Sequence, residues 1–445
     1  MIRHRAAYIA FDRFPSSKGS GVHIAQMADE LFTRFGGGLL AVIGGGGLPR
    51  YQREGDREIA RFEAAIPNLI DRAEAFSAWV AGHLAPHLAT LEICHVRDPW
   101  GALPAVTAPG RRHRVVFEVN GLPSIEMRHT WPHTAPSTLA KIRELERFCL
   151  DRSDAVIVPS NVIAAAVAGL GVPDRKITLV PNGAAPAPFP NGAAPAPRPP
   201  RPGGAPGRYL IYVGALQPWQ GLDVLLRAFA RLADLPDLRL VICSSVPERR
   251  ARPLRRLAER LGVDGRIDWL FTLPHHEVAA WLANAEVSVA PLTGCARNLD
   301  QGCAPLKVLE SMAAATPVVA SDLPAVRELM TDGEHGRLVP ADRPAALARA
   351  VRVLLEYPDE ARAMGDRARK RIEDGLTWPH SRGRLAGVYR TIAPNQGGGS
   401  GVLAEAEGSD RDVPPPAPAA DLAQGPVGHD APGRLGAAHP EPGRA

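Results

Sequence analysis

Short apolar runs alternate along most of this chain with longer amphipathic stretches, and Gly or Pro marks nearly every junction. The runs Ala6–Ala10, Leu39–Ile43, Leu91–Val96, Val115–Val119 and Ala155–Val158 are continuous, the pattern of strands buried on both faces. Helical periodicity covers His23–Phe35 and Ser137–Ser153, where charges interleave with Ile142, Leu145, Phe148 and Leu150. Strands alternating with helices predict βα units around a parallel sheet. The pattern then breaks. Residues 184–207 are rich in Pro, Ala and Gly, and PNGAAPAPF (181–189) is followed at once by PNGAAPAPR (190–198). A unit this short is no solenoid repeat; it reads as a local duplication lengthening an extended, semi-rigid linker. Beyond it a second series opens with Tyr209–Val213, Leu222–Leu232, Leu238–Cys243, a basic helix around Arg249–Leu261, Ile267–Phe271, a helix over His276–Asn284, and Val287–Ala290. Helices are predicted over Pro344–Leu355, Pro358–Ile372 and Trp378–Thr391. From Pro394 the composition turns to Gly, Pro, Ala and acidic residues, which predicts a disordered tail.

The expected organisation is therefore an α/β chain with two doubly wound, Rossmann-like domains. They span residues 1–183 and 208–377, joined by the 184–207 linker, with a closing helix over 378–393 and a tail over 394–445. A chain of 445 residues is long enough for two cores. Its formal charge of +5 comes from arginines scattered along helices rather than gathered in one tract. That argues against a nucleic-acid partner and is compatible with a basic face meeting an anionic membrane. The five cysteines lie far apart without metal-ligand spacing, as expected of reduced thiols in a cytosolic protein. No signal peptide is evident, and no apolar run approaches the roughly 18 residues of a membrane span. The expected location is cytoplasmic, with peripheral attachment to the inner face of a membrane compatible with the charge.

The chemistry concentrates in APLKVLESMAAATPVVASDLPAVRELMTDGEHGRLVP, from Ala304 to Pro340. It reads as a loop, a helix, a short strand, a loop and a second helix from about Pro324. Lys307 and Glu310 are three apart, so on a helix they share one face near its first turn. An ammonium, a carboxylate and the N–H groups of a helix start suit a nucleotide sugar: cation and N–H groups for the diphosphate, carboxylate for the ribose hydroxyls. The bland alternative is an ordinary βα unit with a surface Lys and Glu.

At these residues the chain resembles the family 4 retaining glycosyltransferases of the GT-B fold, whose pattern here is E-x7-E, then MAxGxPVVA and ExxxxGxLV. Glu310, Met312, Ala313, Pro317–Ala320, Glu328, Gly333, Gly336 and Leu338 fall in step with it. Tyr212–Phe229, YVGALQPWQGLDVLLRAF, likewise resembles VGRLxxxKGxDxLLxAF through Gly214, Gly221, Asp223, Leu225, Leu226 and Phe229. The resemblance implies a donor site on the second domain, with Glu310 on the ribose and with Lys307, Gln220, Leu306, Gly214, Gly302 and Arg297 around the rest of the donor. It also implies an acceptor entering from the first domain, a glycan or a lipid-linked one, and a last helix that crosses back onto that domain. A nucleotide-diphosphate sugar would be co-substrate, with no cofactor and no metal; Asp410-Arg-Asp412, the one DxD match, lies in the expected tail.

In the first domain KGSG (Lys18–Gly21) resembles the family loop written GGxxxH. Gly19, Gly21 and His23 are then candidates to face a phosphate or the acceptor, or else form a plain turn with a capped helix and a surface histidine. Past Val115–Val119, where many relatives carry a histidine in a VxH pattern, stands Asn120, with Glu118 two residues before it. Asn120 can position a hydroxyl but is no acid or base; Glu118 is either catalytic or structural. RDPWG (Arg97–Gly101) and Glu126 are further acceptor-side candidates. The departures are specific: the family's diphosphate-binding Arg and Lys are Ala215 and Gln220, its first Glu is Gly302, and the Gly of AxGxP is Ala315. The leading expectation is a retaining, metal-independent glycosyltransferase of polysaccharide or glycoconjugate biosynthesis. The alternative is a catalytically weak GT-B protein that binds a nucleotide sugar or an assembly partner. A third reading is a different GT-B enzyme, a nucleotide-sugar epimerase or a phosphorylase; the lysine-bound pyridoxal phosphate pocket of a phosphorylase finds no support in the residues.

Overall fold

A computed structural model describes residues 3–185 and 199–393. The expected tail and most of the duplicated linker segment lie outside them. Eight strands make the first sheet: β1 (Ala6–Arg13), β2 (Gly38–Ile43), β3 (Tyr51–Glu54), β4 (Arg57–Phe62), β5 (Ile93–Val96), β6 (Arg114–Glu118), β7 (Ala155–Val158) and β8 (Ile177–Leu179). Their order is β3-β4-β2-β1-β5-β6-β7-β8, parallel throughout except for the antiparallel β3–β4 pair at the edge. Six strands make the second: β9 (Arg208–Gly214), β10 (Leu238–Ser244), β11 (Ile267–Phe271), β12 (Val287–Ala290), β13 (Val318–Ser321) and β14 (Arg337–Val339). Their order is β11-β10-β9-β12-β13-β14, all parallel.

Both sheets are covered on both faces, which is why their strands read as unbroken apolar runs. Successive side chains of a strand point to opposite faces. In β1, Ala7 and Ile9 join Val96, Val115 and Val158 in one core, while Ala6, Tyr8 and Ala10 join Ile24, Leu31 and Val116 in the other. The C-terminal helix Trp378–Ile392 returns to this second face, seating Trp378, Leu385, Val388 and Tyr389 among first-sheet residues. Arg382 adds an ion pair to Asp29 at 2.9 Å, and Ser381 Oγ donates to the Pro181 carbonyl at 2.6 Å.

The hairpin β3–β4 and the helix Leu69–Leu84 were not legible as elements. β3 is exposed and reads Tyr-Gln-Arg-Glu, a charged edge strand without an apolar face to announce it.

In each sheet the chain reverses its direction of travel at one place, between β1 and β5 and between β9 and β12. Doubly wound sheets open a crevice at the carboxyl ends of such strands. The two crevices of this chain face one another across one cleft.

Candidate active site in the interdomain cleft

The cleft holds about 660 Å³ and is lined from both sides, by Phe11, Asp12, Arg97 and Asn120 beyond the first sheet and by Gly214, Gln220, Lys307 and Glu310 beyond the second. Hydrogen bonds join the two domains around it. Glu126 accepts from Arg297 (Nη2, 2.8 Å) and Gln301 (3.1 Å); Glu328 accepts from the Asn161 backbone N–H (2.8 Å) at the start of the helix Asn161–Ala168; and Asn182 Nδ2 donates to the Ala304 carbonyl at 3.0 Å.

On the first-domain side, Glu118 does not line the cleft. It follows Val116 on the same face of β6 and so points to the face that the C-terminal helix covers. There its carboxylate accepts from Tyr8 Oη (2.9 Å), His95 Nε2 (3.0 Å), Arg97 Nε (3.0 Å) and Asn120 Nδ2, and His23 Nε2 lies 2.6 Å away. Burial pushes the carboxyl up, but His23, His95 and Arg97 together hold it well below the usual carboxylate range. Burial lowers the His95 pKa, consistent with a neutral ring whose Nδ1 accepts from Tyr389 Oη at 2.6 Å. Of the two readings of Glu118, this placement favours the structural one: a carboxylate 2% exposed that fixes its neighbours. Three of those neighbours, Asn120, His23 and Arg97, do line the cleft. His23 is 4% exposed, not a surface histidine, and its Nδ1 has no hydrogen-bond partner among the described residues.

The helix Gly19–Phe35 opens into the cleft at Gly19 and Ser20, with no side chain capping its first N–H groups. Gly19 lies against Leu306 of the other domain, where a Cβ would come within 2.7 Å of Leu306 Cδ1. Gly21 is not in the cleft wall; it packs on Ser16, whose carbonyl leaves no room for a Cβ.

On the second-domain side, Lys307 is the second residue of the helix Leu306–Ala313. It is 9% exposed, and its Nζ donates to Tyr212 Oη at 2.9 Å and to Gln220 Oε1, lying over the Tyr212 ring at 4.1 Å. No carboxylate stands within 4.0 Å of it among the described residues. Burial lowers its pKa to about 7, with Cys303 and Glu310 opposing weakly. Gly214, at φ +140°, lets the chain pass this amine: a Cβ there would stand 3.1 Å from Nζ. Tyr212 escaped the sequence reading, although a tyrosine closing an apolar strand two residues before a glycine is the available signal.

Glu310 and Leu306 also line the cleft. Burial raises the Glu310 pKa against the pull of His275, whose Nδ1 is 3.8 Å away, and of Lys307. Arg297 is present, but its guanidinium is committed to Glu126 and stacks 5.2 Å over Trp219. Gly302 is outside the lining. Its φ of +85° suits glycine, and a Cβ would meet Val162 at 2.8 Å, so the position that carries a glutamate in the family pattern has no space for a side chain here. The preceding π-helical turn, Arg297–Gln301, is what brings that loop against the first domain.

Among the described residues, His4, Glu58 and His87 form a cluster of metal-competent side chains, at the amino ends of β1 and β4 and far from the cleft. The His4 backbone N–H donates to His87 Nδ1 at 3.2 Å, which puts that ring's proton on Nε2 and leaves it no lone pair for a metal. No described helix is long and apolar enough to cross a membrane.

Residues 18–183 match the model of the Glycosyl transferase 4-like domain, and residues 207–357 match that of Glycosyl transferases group 1. A D-inositol 3-phosphate glycosyltransferase of Corynebacterium glutamicum is 32% identical over 196 residues, 42% of this chain and 44% of that protein. The chain thus spans less than half the length of such curated relatives. Among solved structures, the sucrose-phosphate synthase of Thermosynechococcus elongatus superposes with a TM-score of 0.69 at 18% identity, covering 87% of this chain and 99% of that one. Anabaena HepE, solved with UDP and glucose, gives 0.66 at 15% identity, covering 87% and 100%. At such identities these two establish a shared fold.

Proposed function

We propose that this chain, which belongs to the group 1 glycosyltransferases by the matches of both its domains, moves a sugar from a nucleotide-diphosphate sugar to an acceptor hydroxyl with retention of configuration. The observation that carries the proposal is Lys307: a buried amine held by two neutral partners, at the switch point of the second sheet and lining the cleft together with the start of the helix Gly19–Phe35. A charge so placed lacks a counter-ion, and a diphosphate supplies one.

In this reading the donor lies on the second domain. Lys307 supplies a cation to the diphosphate in place of those lost at Ala215 and Gln220, the Gln220 amide adds a neutral donor, and the Glu310 carboxylate holds the ribose hydroxyls. The N–H groups of Gly19 and Ser20 face the leaving diphosphate from the other wall. The acceptor enters from the first domain and its hydroxyl attacks the anomeric carbon on the face the diphosphate leaves. Asn120, held by Glu118, positions the reacting groups without exchanging a proton. Catalysis then rests on orientation and leaving-group stabilisation by fixed protein cations and N–H groups, without a cofactor or metal; activity unaffected by EDTA is the matching expectation. The cellular setting we assign is synthesis of a polysaccharide or glycoconjugate at the cytoplasmic side, with peripheral membrane contact where the acceptor is lipid-linked.

A thermal-shift series against UDP, GDP, ADP and their sugar conjugates tests this directly. Stabilisation by one base, extended by its sugar conjugate, is the expected result; no shift with any of them overturns the proposal. The missing side chain at Gly302 and the Ala215 substitution favour a second reading, a nucleotide-sugar binder with little transfer activity. Slow donor hydrolysis in the absence of acceptor separates the two, since only the transferase releases free sugar.

A further inference from the structure

The acceptor half of the cleft differs in character from the donor half. Its wall carries Phe11, Leu69, Trp100, Met127 and Trp131, and Trp131 is 46% exposed although large aromatic side chains are normally covered. The Trp131 backbone is fixed at the end of the helix Pro123–Thr130, its main-chain N–H donating to the Met127 carbonyl at 2.7 Å. Polar groups stand between the aromatic ones: the Asn120 amide, the Thr130 hydroxyl, and the charged Asp12, Arg97 and Glu126.

Those charges are already paired. Arg97 is bound to Glu118 and lies 3.5 Å from Asp12, and Glu126 is bound to Arg297. On this wall Lys18, exposed at the start of the helix Gly19–Phe35, is the cation without an ion-pair partner among the described residues. Apart from Lys18, and the Gly19 and Ser20 N–H groups assigned above to the donor diphosphate, the wall offers a phosphate dianion no converging cations and no unpaired arginine. An exposed indole beside satisfied hydrogen-bonding pairs instead fits a ring with one apolar face and a rim of hydroxyls. A long apolar tail would not be served by the charged pairs that interrupt the aromatic surface.

Resting on the transfer reaction proposed above, we infer that the acceptor is a neutral, unphosphorylated saccharide whose ring stacks on Trp131, with Trp100 beside it. Trp131 is then a specificity-determining residue for the acceptor and has no part in donor binding.

The test is calorimetric titration of the full chain with four kinds of probe: neutral oligosaccharides of glucose, mannose, galactose and N-acetylglucosamine; glucose 6-phosphate; inositol 1-phosphate; and octyl glucoside. The expected result is saturable binding of a neutral oligosaccharide that 0.5 M salt, with a screening length about twofold shorter than at physiological ionic strength, leaves unchanged. Trp131→Ala should weaken it about tenfold, the scale of one aromatic contact, and Trp131→Tyr should restore most of it. Nucleotide-induced stabilisation should be the same in all three proteins. Preferential, salt-sensitive binding of either phosphorylated sugar overturns the inference. So do octyl glucoside binding that exceeds every oligosaccharide, absence of neutral-sugar binding, and an unaltered affinity in Trp131→Ala. If nucleotides fail to bind as well, the transferase reading falls with it; if nucleotides bind normally, only the acceptor assignment does.

Discussion

Two buried ionic groups, Glu118 and Lys307, stand beside the switch points of two similar sheets, and their surroundings are opposite. Glu118 is over-supplied: Tyr8, His95, Arg97 and Asn120 all donate to it and His23 adjoins it. Lys307 is under-supplied, with a phenol and an amide oxygen for partners and no carboxylate in contact among the described residues. The electrostatic consequences run in opposite directions as well. Glu118 is held ionised despite burial, whereas burial brings Lys307 down to about 7. A charge whose partners come from within the fold is architecture. One left short of them points to a partner that arrives from outside.

Removing each group should therefore change stability with opposite sign. Glu118→Ala leaves Arg97 buried without its carboxylate and undoes the link through His95 to Tyr389, so it should destabilise by about 3–5 kcal/mol, read from urea unfolding. A loss under about 1 kcal/mol would place Glu118 outside the structural network.

The second prediction concerns pH. Lys307 has a folded pKa lowered from 10.5 to about 7, so between those values the unfolded chain binds the extra proton and unliganded stability should rise with pH. Donor binding should move the other way, because a diphosphate favours the ammonium form. Affinity for a nucleotide sugar, whose diphosphate does not titrate in this range, should fall above pH 7 by up to about tenfold per unit. Isothermal titration at pH 6.5 to about 9 checks it; a flat profile means that Lys307 carries no charge to the donor.

A smaller effect lies in the loop after the Lys307 helix. Ala315 sits at φ +54°, where the family pattern has glycine, with its carbonyl packed against Gly365. Ala315→Gly should relieve left-handed strain and stabilise by about 0.5–1 kcal/mol, net of the added freedom in the unfolded chain. A lower melting temperature in that variant would show the strain to be absent.

How much of this was legible depends on the range of the interactions. The continuous apolar runs gave the two parallel sheets, because burial on both faces leaves a local trace. The spacing of Lys307 and Glu310 gave their shared helical face, since three residues along a helix is a local geometry too. Glu118 stayed open between two roles in the sequence because its surroundings rest on partners such as His95 and, through it, Tyr389, which lies 294 residues from His95 in the chain. Strand alternation with Val116 was the available clue that Glu118 faces the helix-covered side. Gly302 shows a third case: counting from Glu310 located the missing glutamate, but only the backbone angle and Val162 explain why no side chain fits there.

The central claim is that Lys307 is kept uncompensated for a diphosphate, and the melting temperature of Lys307→Met with and without nucleotide tests it most directly. The account predicts an unliganded variant about 1–3 kcal/mol more stable than the parent chain, because a buried unpaired amine has been replaced by an apolar side chain of similar length. It also predicts that the stabilisation by nucleotide diphosphate, present in the parent, is lost. A variant that is less stable and still responds fully to nucleotide would contradict it, and would make Lys307 part of the architecture as Glu118 is.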